Sequence, residues 1–168
     1  LEYRGKRLEA SRACGDPKKE LAAQFDLGAA HEKLGDAEHL KSAQSCFETY
    51  LALAEKAEDV EAQGQGCYAL ARVHQRQEDG DQSLAHLQRF LKLATASGKL
   101  HAQAEACCSL GVLYNAQNDY ASAVQYLERY FDLSRSIGER AMVDKARAYL
   151  GIARGNSVLP AYMNVVVN

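Results

Sequence analysis

A repeat of 40 residues constrains this chain more than any other feature. Four segments share a leucine followed by a small residue: Leu27-Gly28, Leu70-Ala71, Leu110-Gly111 and Leu150-Gly151. The leucines are 43, 40 and 40 residues apart. The odd value has a local cause, because Gly35 to Ala43 is three residues longer than the matching stretch Asn118 to Ala123. Other positions keep the same beat: Phe47, Leu87 and Leu127; Tyr50, Phe90 and Tyr130; Leu51, Leu91 and Phe131; Leu53, Leu93 and Leu133. Self-similarity at this period marks a stacked-repeat architecture, in which no single unit can bury its apolar face alone.

Within a unit the period is helical. Ala123, Val124, Leu127, Tyr130 and Phe131 recur at three and four residues, which is one face of an α-helix. Twelve residues before each marker leucine stand Gly15, Glu58, Gly98 and Gly138, glycine in three of four cases, where a helix ending in the left-handed conformation wants it. The two prolines, Pro17 and Pro160, lie at the edges. This register predicts a partial helix B over 1–14 and three helix A–turn–helix B hairpins at about 17–57, 60–97 and 100–137. A final helix A follows over 140–155, then a tail or cap over 156–168, with Pro160 ending regular structure. The small residues Gly28, Ala71, Gly111 and Gly151 are expected where helix A meets its own helix B closely. A glycine inside a helix costs about 1 kcal/mol relative to alanine, so its recurrence at one phase needs a packing reason. The length of 168 residues suggests one domain. The chain opens at Leu1, without Met and inside a helix-like stretch, and so reads as a fragment.

Composition narrows the function. With 20 basic and 22 acidic residues the formal charge is −2, which argues against nucleic acid and gives no polybasic signal for a membrane surface. No apolar run approaches the roughly 18 residues of a spanning helix. Cys14, Cys46, Cys67, Cys107 and Cys108 are odd in number, form no C-x-x-C pair and match no zinc spacing. Free thiols in a reducing, intracellular compartment are the simpler reading.

The run Cys108-Ser-Leu-Gly-Val-Leu-Tyr114, followed by Asn118-Asp-Tyr-Ala-Ser-Ala123 and Tyr126-Leu127, resembles a tetratricopeptide repeat. The resemblance extends over nearly all residues before 156. The chain departs from the family in two ways. Its frequent tryptophan near the start of helix A is replaced by Gln24, Cys67 and Cys107, and the period exceeds the usual ~34. The 40-residue form, with a turn such as Ile137-Gly-Glu-Arg140, is similar to the spindle-orientation adaptors of the LGN/Pins group and to axonemal tetratricopeptide-repeat proteins. The resemblance implies an all-α, right-handed superhelical solenoid of antiparallel helix pairs. It also implies a concave groove lined by the A helices that holds a segment of another protein.

On that register the groove candidates in the first unit are Phe25, Glu32 and Lys33. The second offers Gln65, Tyr68, Arg72, Gln75 and Arg76. The third offers Glu105, Val112 and Asn115, and the last helix Lys145 and Tyr149. Arg72 and Arg76, four residues apart, could hold carboxylates of an acidic partner segment; they read equally well as solvated surface arginines. Tyr68 and Tyr149 suit aromatic anchors, although Tyr149 fits repeat-stacking core as readily. The carboxylate-clamp subclass places asparagines where this chain has Ala29, Arg72, Val112 and Ile152, so a chaperone-tail clamp is not expected. The LGN-type asparagine before the Leu-Gly step is replaced by Asp26, Ala69, Ser109 and Tyr149.

Catalytic readings fail on spacing. The five histidines, at 31, 39, 74, 86 and 101, make no H-E-x-x-H or other close metal pair. His31 and His74 share the phase of Tyr114, where a flat ring packs between helices. Cys67 and Cys107 are 40 apart and read as small buried residues, while Cys107 and Cys108 should point to different helix faces. Gly64-Gln-Gly66 lacks the strand and the Gly-Lys-Ser/Thr of a phosphate loop. No cofactor, metal or enzymatic activity is expected. The leading expectation is a non-enzymatic scaffold binding an extended or helical segment of another protein. The alternative is a structural component of a larger assembly such as a ciliary axoneme; less favoured is a regulatory domain attached to an enzyme.

Overall fold

Most of the helices begin where a short polar side chain satisfies their unpaired N–H groups. Asp16, Asp36, Asp59 and Asp119 are N-caps whose carboxylates accept from the backbone N–H of Lys18 and Lys19, His39, Ala62 and Ser122. Asp79 does the same for the N–H of Gln82 at 3.2 Å. The computed structural model describes the backbone of residues 1–166 and the side chains of residues 1–159. Among the described residues the regular structure is all helical: α1 Glu2–Ala13, α2 Pro17–Leu34, α3 Ala37–Lys56, α4 Val60–Arg76, α5 Gly80–Ala96, α6 Leu100–Ala116, α7 Tyr120–Ile137 and α8 Arg140–Val166. The fold is an all-α helical repeat.

Gly15, Glu58, Gly98 and Gly138 all take the left-handed conformation, with φ of 63, 53, 66 and 84°. The turn needs that conformation at this phase, and Glu58 adopts it without glycine's freedom. The three-residue insertion is helix rather than loop. Helix α3 starts ten residues before Phe47, whereas α5 and α7 start seven before Leu87 and Leu127.

The chain divides into two compact units, Leu1–Leu93 and Ala94–Asn168, where length alone suggested one domain. Repeat arrays hold together through neighbour contacts, so a division can fall between repeats without a linker. In the first unit Phe47, Leu70, Val73 and Leu87 are fully buried, with Cys67 beside them. Tyr50, Ala54 and Ala62 form a second cluster, against which Leu21 and Phe25 pack. In the second unit Leu110, Leu127, Cys107 and Ser134 are buried. Each large apolar side chain buried in this way contributes about 1.5–3 kcal/mol.

The small residues after the marker leucines do not all serve alike. A Cβ on Gly28 would lie 2.8 Å from Cε1 of Phe47. One on Gly111 would lie 2.5 Å from Cγ of Leu127 and 3.3 Å from the Ala123 carbonyl oxygen. Ala71 is buried at the same phase. Gly151 departs from the expectation: a Cβ there meets nothing within 4 Å and the residue is exposed. Helix α8 also outruns the expected end near 155 and continues through Pro160. Proline removes one hydrogen bond, to the carbonyl four residues back, and the ~3 kcal/mol this costs did not end the helix. The cap expected over 156–168 depends largely on side chains beyond Leu159, outside the described residues.

Candidate functional site

The first unit contains an open cleft of about 400 Å³. Lys18, Leu21, Ala22, Phe25 and Asp26 of α2 line one side; Glu61, Ala62 and Gln65 of α4, with Asp59 at its N-cap, line the other. Tyr50 of α3 closes the floor. Phe25 is half-buried, its ring 5.4 Å from Phe47 and 5.1 Å from Tyr50 in tilted geometry. The Tyr50 hydroxyl donates to Oε1 of Gln65 at 3.1 Å. Burial, with the charges of Asp59 and Glu61 adding to it, pushes the Tyr50 phenol up to about 12, so it stays a neutral donor. Two of the groove candidates, Phe25 and Gln65, therefore share one concavity between two A helices.

Arg72 and Arg76 have a different employment. Arg72 donates to the carboxylate of Glu32, and Arg76 donates to the Glu32 carbonyl oxygen and lies over Gly35. The Glu32 side chain is 8% exposed and that of Arg72 is 52% exposed. Glu32, expected at the groove surface, is buried as the anchor of this pair, which ties α4 to the end of α2. The Arg72 guanidinium also stands 6.0 Å from the centre of the Tyr68 ring. Tyr68 itself is half-buried, 5.2 Å from Phe90. Gln75 and Lys33 are exposed.

In the second unit Asn115 accepts from the Asn156 side-chain amide at 3.0 Å, joining α6 to α8. The Lys145 ammonium lies 5.5 Å from the centre of the half-buried Tyr149 ring. Glu105 and Val112 are exposed.

The residues at the hairpin junctions pack as ring pairs. His31 meets His39, His74 stacks on His86 at 5.4 Å and 12°, and Tyr114 stacks on Tyr126 at 5.5 Å and 8°. Burial lowers His31 and His86 from the ordinary histidine value, with the neighbouring imidazole acting in the same direction. All five cysteines are free thiols, and only Cys14 is exposed. Burial pushes Cys67 and Cys107 up to about 11 each, the opposite of what a nucleophile needs. Cys107 and Cys108 are both buried, because α6 is covered on more than one side. Among the described residues no group of three or more His, Cys, Asp or Glu side chains could hold a metal. No described helix is long and apolar enough to cross a membrane.

One periodic feature escaped the sequence reading. Gln63 donates to the Ala54 carbonyl at 3.4 Å, and Gln103 donates to the Ala94 carbonyl at 3.2 Å. Donor and acceptor are each 40 apart, so the repeat register itself could have found them. Each glutamine stitches the start of a helix A to the last turn of the helix before it.

No curated protein matches the chain. Residues 65–136, from α4 through α7, match the family model of the tetratricopeptide repeat, so less than half the chain carries the match, and it supports the assignment to that family that the helical hairpins and their 40-residue register suggest.

Proposed function

We propose that this chain is a non-enzymatic protein-interaction scaffold, and that its A helices, α2 and α4 in the first unit, receive an extended or helical segment of another protein. Tetratricopeptide repeats generally mediate protein–protein interaction. The cleft between α2 and α4 is the observation that carries the reading to particular residues. It offers the half-buried ring of Phe25 beside the exposed, polar Gln65, the mixture a peptide backbone and an anchor side chain require. An acidic segment, the partner that Arg72 and Arg76 suggested, has weaker support, since both guanidinium groups are engaged by Glu32. The period of 40 supports the longer-repeat groups, spindle-orientation adaptors and axonemal proteins, as the nearest functional models. An intracellular, reducing setting suits five free thiols.

Panning a phage-displayed random 12-residue library on the purified chain tests this. Enriched peptides should weaken at least tenfold on Gln65→Ala or Phe25→Leu while the circular dichroism spectrum is unchanged. Peptides indifferent to both substitutions would remove the cleft from the reading. The second reading, a component of a larger assembly, is favoured by exposed Ile152, Val158 and Leu159 on α8.

A further inference from the structure

The cleft between α2 and α4 lies inside the array: its walls and floor come from α2, α3 and α4, with α1 before them in the chain and α5 after. Three carboxylates line it, those of Asp26, Asp59 and Glu61, against one ammonium, that of Lys18. Asp59 caps α4 through Oδ1, which accepts from the Ala62 N–H at 3.0 Å, and its Oδ2 has no bond among the described residues. Asp26 accepts from Arg7 through Oδ2 at 2.7 Å, and its Oδ1 likewise has none. Burial raises the Tyr50 phenol, and the charges of Asp59 and Glu61 raise it further, so their field reaches the floor of the cleft. Between the carboxylates stand the half-buried ring of Phe25 and the exposed Gln65. The Gln65 Oε1 accepts from Tyr50, while its Nε2 has no partner among the described residues.

We propose that this cleft selects a basic side chain on the partner segment, arginine before lysine, the opposite sign to the acidic segment that Arg72 and Arg76 suggested. The inference rests on the scaffold reading above and adds to it the chemistry of the anchor. A guanidinium laid on the Phe25 ring gains a cation–π contact, and its planar fork of donors reaches carboxylates at the same time. The ammonium of a lysine is a point charge and does less of both. The free Gln65 amide N–H then donates to a carbonyl of the bound backbone. An acidic anchor meets like charge in the cleft, and an apolar one covers carboxylates without giving them a partner. Within the 168 residues no other segment supplies that anchor. Gly155 to Asn168 contain no Lys or Arg, and Arg4, Lys6, Arg7 and Arg12 of α1 are already bonded to Asp26, Glu2 and Glu20.

Library peptides that Gln65→Ala or Phe25→Leu weakens are the cleft binders, and each should carry an arginine or lysine at one aligned position. The strongest of them, labelled with fluorescein, is titrated into the protein by fluorescence anisotropy at low and high salt. Replacing its basic residue with leucine should weaken binding at least tenfold, and glutamate should weaken it further. Asp26→Asn together with Asp59→Asn should weaken it at least fivefold and flatten the salt dependence. That variant stays folded, because asparagine caps a helix as well as aspartate does and the exposed Arg7 pair contributes little. Asp119→Asn with Asp144→Asn makes the same change of charge in the second unit and should leave the affinity unchanged. Cleft binders that lack a basic residue, that tolerate the Asp26 and Asp59 substitutions, or that weaken equally in the control pair overturn this inference and leave the scaffold reading standing. Peptides indifferent to Phe25 and Gln65 overturn both. Ala22 is exposed in the lining, and an Ala22→Cys thiol that resists maleimide in the full-length protein overturns the inference in favour of a segment of the same chain.

Discussion

Gly111 and Gly151 stand 40 residues apart at one repeat phase, yet alanine should act on them with opposite signs. Alanine gains about 1 kcal/mol over glycine in a helix interior at either position. At Gly111 the new Cβ would sit 2.5 Å from Cγ and 2.8 Å from Cδ2 of Leu127, with the Ala123 carbonyl oxygen at 3.3 Å. Leu127 is 1% exposed, and the close atom is its branch carbon rather than a mobile tip. Relief therefore requires α6 and α7 to move apart. Overpacking of this kind costs about 1–3 kcal/mol, and so tight a contact belongs in the upper part of that range. The net expectation is a loss of about 1–2 kcal/mol. At Gly151 nothing opposes the helix term, and the gain should be about 0.5–1 kcal/mol. Urea unfolding followed by far-ultraviolet circular dichroism measures both. Native-state hydrogen exchange on α6 and α7 should accompany it, since two units need not melt together. In a Leu127→Ala background the penalty of Gly111→Ala should vanish and leave only the helix gain. Equal signs for the two glycines, or a Gly111→Ala chain as stable as the parent, would refute the close-packing account.

Replacing Arg72 and Arg76 together with alanine should cost about 1–3 kcal/mol, less than the ~3–5 of a fully buried pair because Arg72 is half exposed, and Glu32→Gln should recover part of that loss in the same urea assay. Glu58→Gly should stabilise by about 0.5–1 kcal/mol in thermal unfolding, since the left-handed turn strains a side-chain-bearing residue by about 1–2 kcal/mol and glycine's extra freedom in the unfolded chain offsets part of the relief. Acid should loosen the first unit before the second. His31 and His86 are lowered in the fold, so their contribution is present above the ordinary histidine value of about 6.5 and is lost as pH falls through and below it. The corresponding ring pair in the second unit is Tyr114 on Tyr126, two phenols in place of imidazoles. Urea midpoints between pH 7.5 and 5.5 test this, and replacing both His31 and His86 with tyrosine should flatten the first unit's dependence. Gln103→Ala should lower stability by about 0.5–1.5 kcal/mol, the net worth of one hydrogen bond, because the Ala94 carbonyl keeps the Lys99 N–H and the Ser97 hydroxyl as donors.

The fold class was legible because the repeat writes each structural demand several times. Leu27, Leu70, Leu110 and Leu150, the aromatic positions at 50, 90 and 130, and the turn residues at 15, 58, 98 and 138 each state one local rule at a fixed interval. Local rules of periodicity, turn conformation and helix propensity depend on residues near in sequence, so the sequence by itself determined an all-helical repeat. The groove was legible only as a register. Phe25 and Gln65 do share a cleft, but Arg72 and Arg76, at equally good positions, are held by a buried Glu32 that lies 40 and 44 residues away. Likewise Gly111 and Gly151 look identical in the sequence and differ only in what stands opposite. Which side chains find partners inside the fold, and which face is left without one, was decided by the tertiary structure. Those outcomes depend on the distance between groups remote in the chain, and no periodicity records that distance.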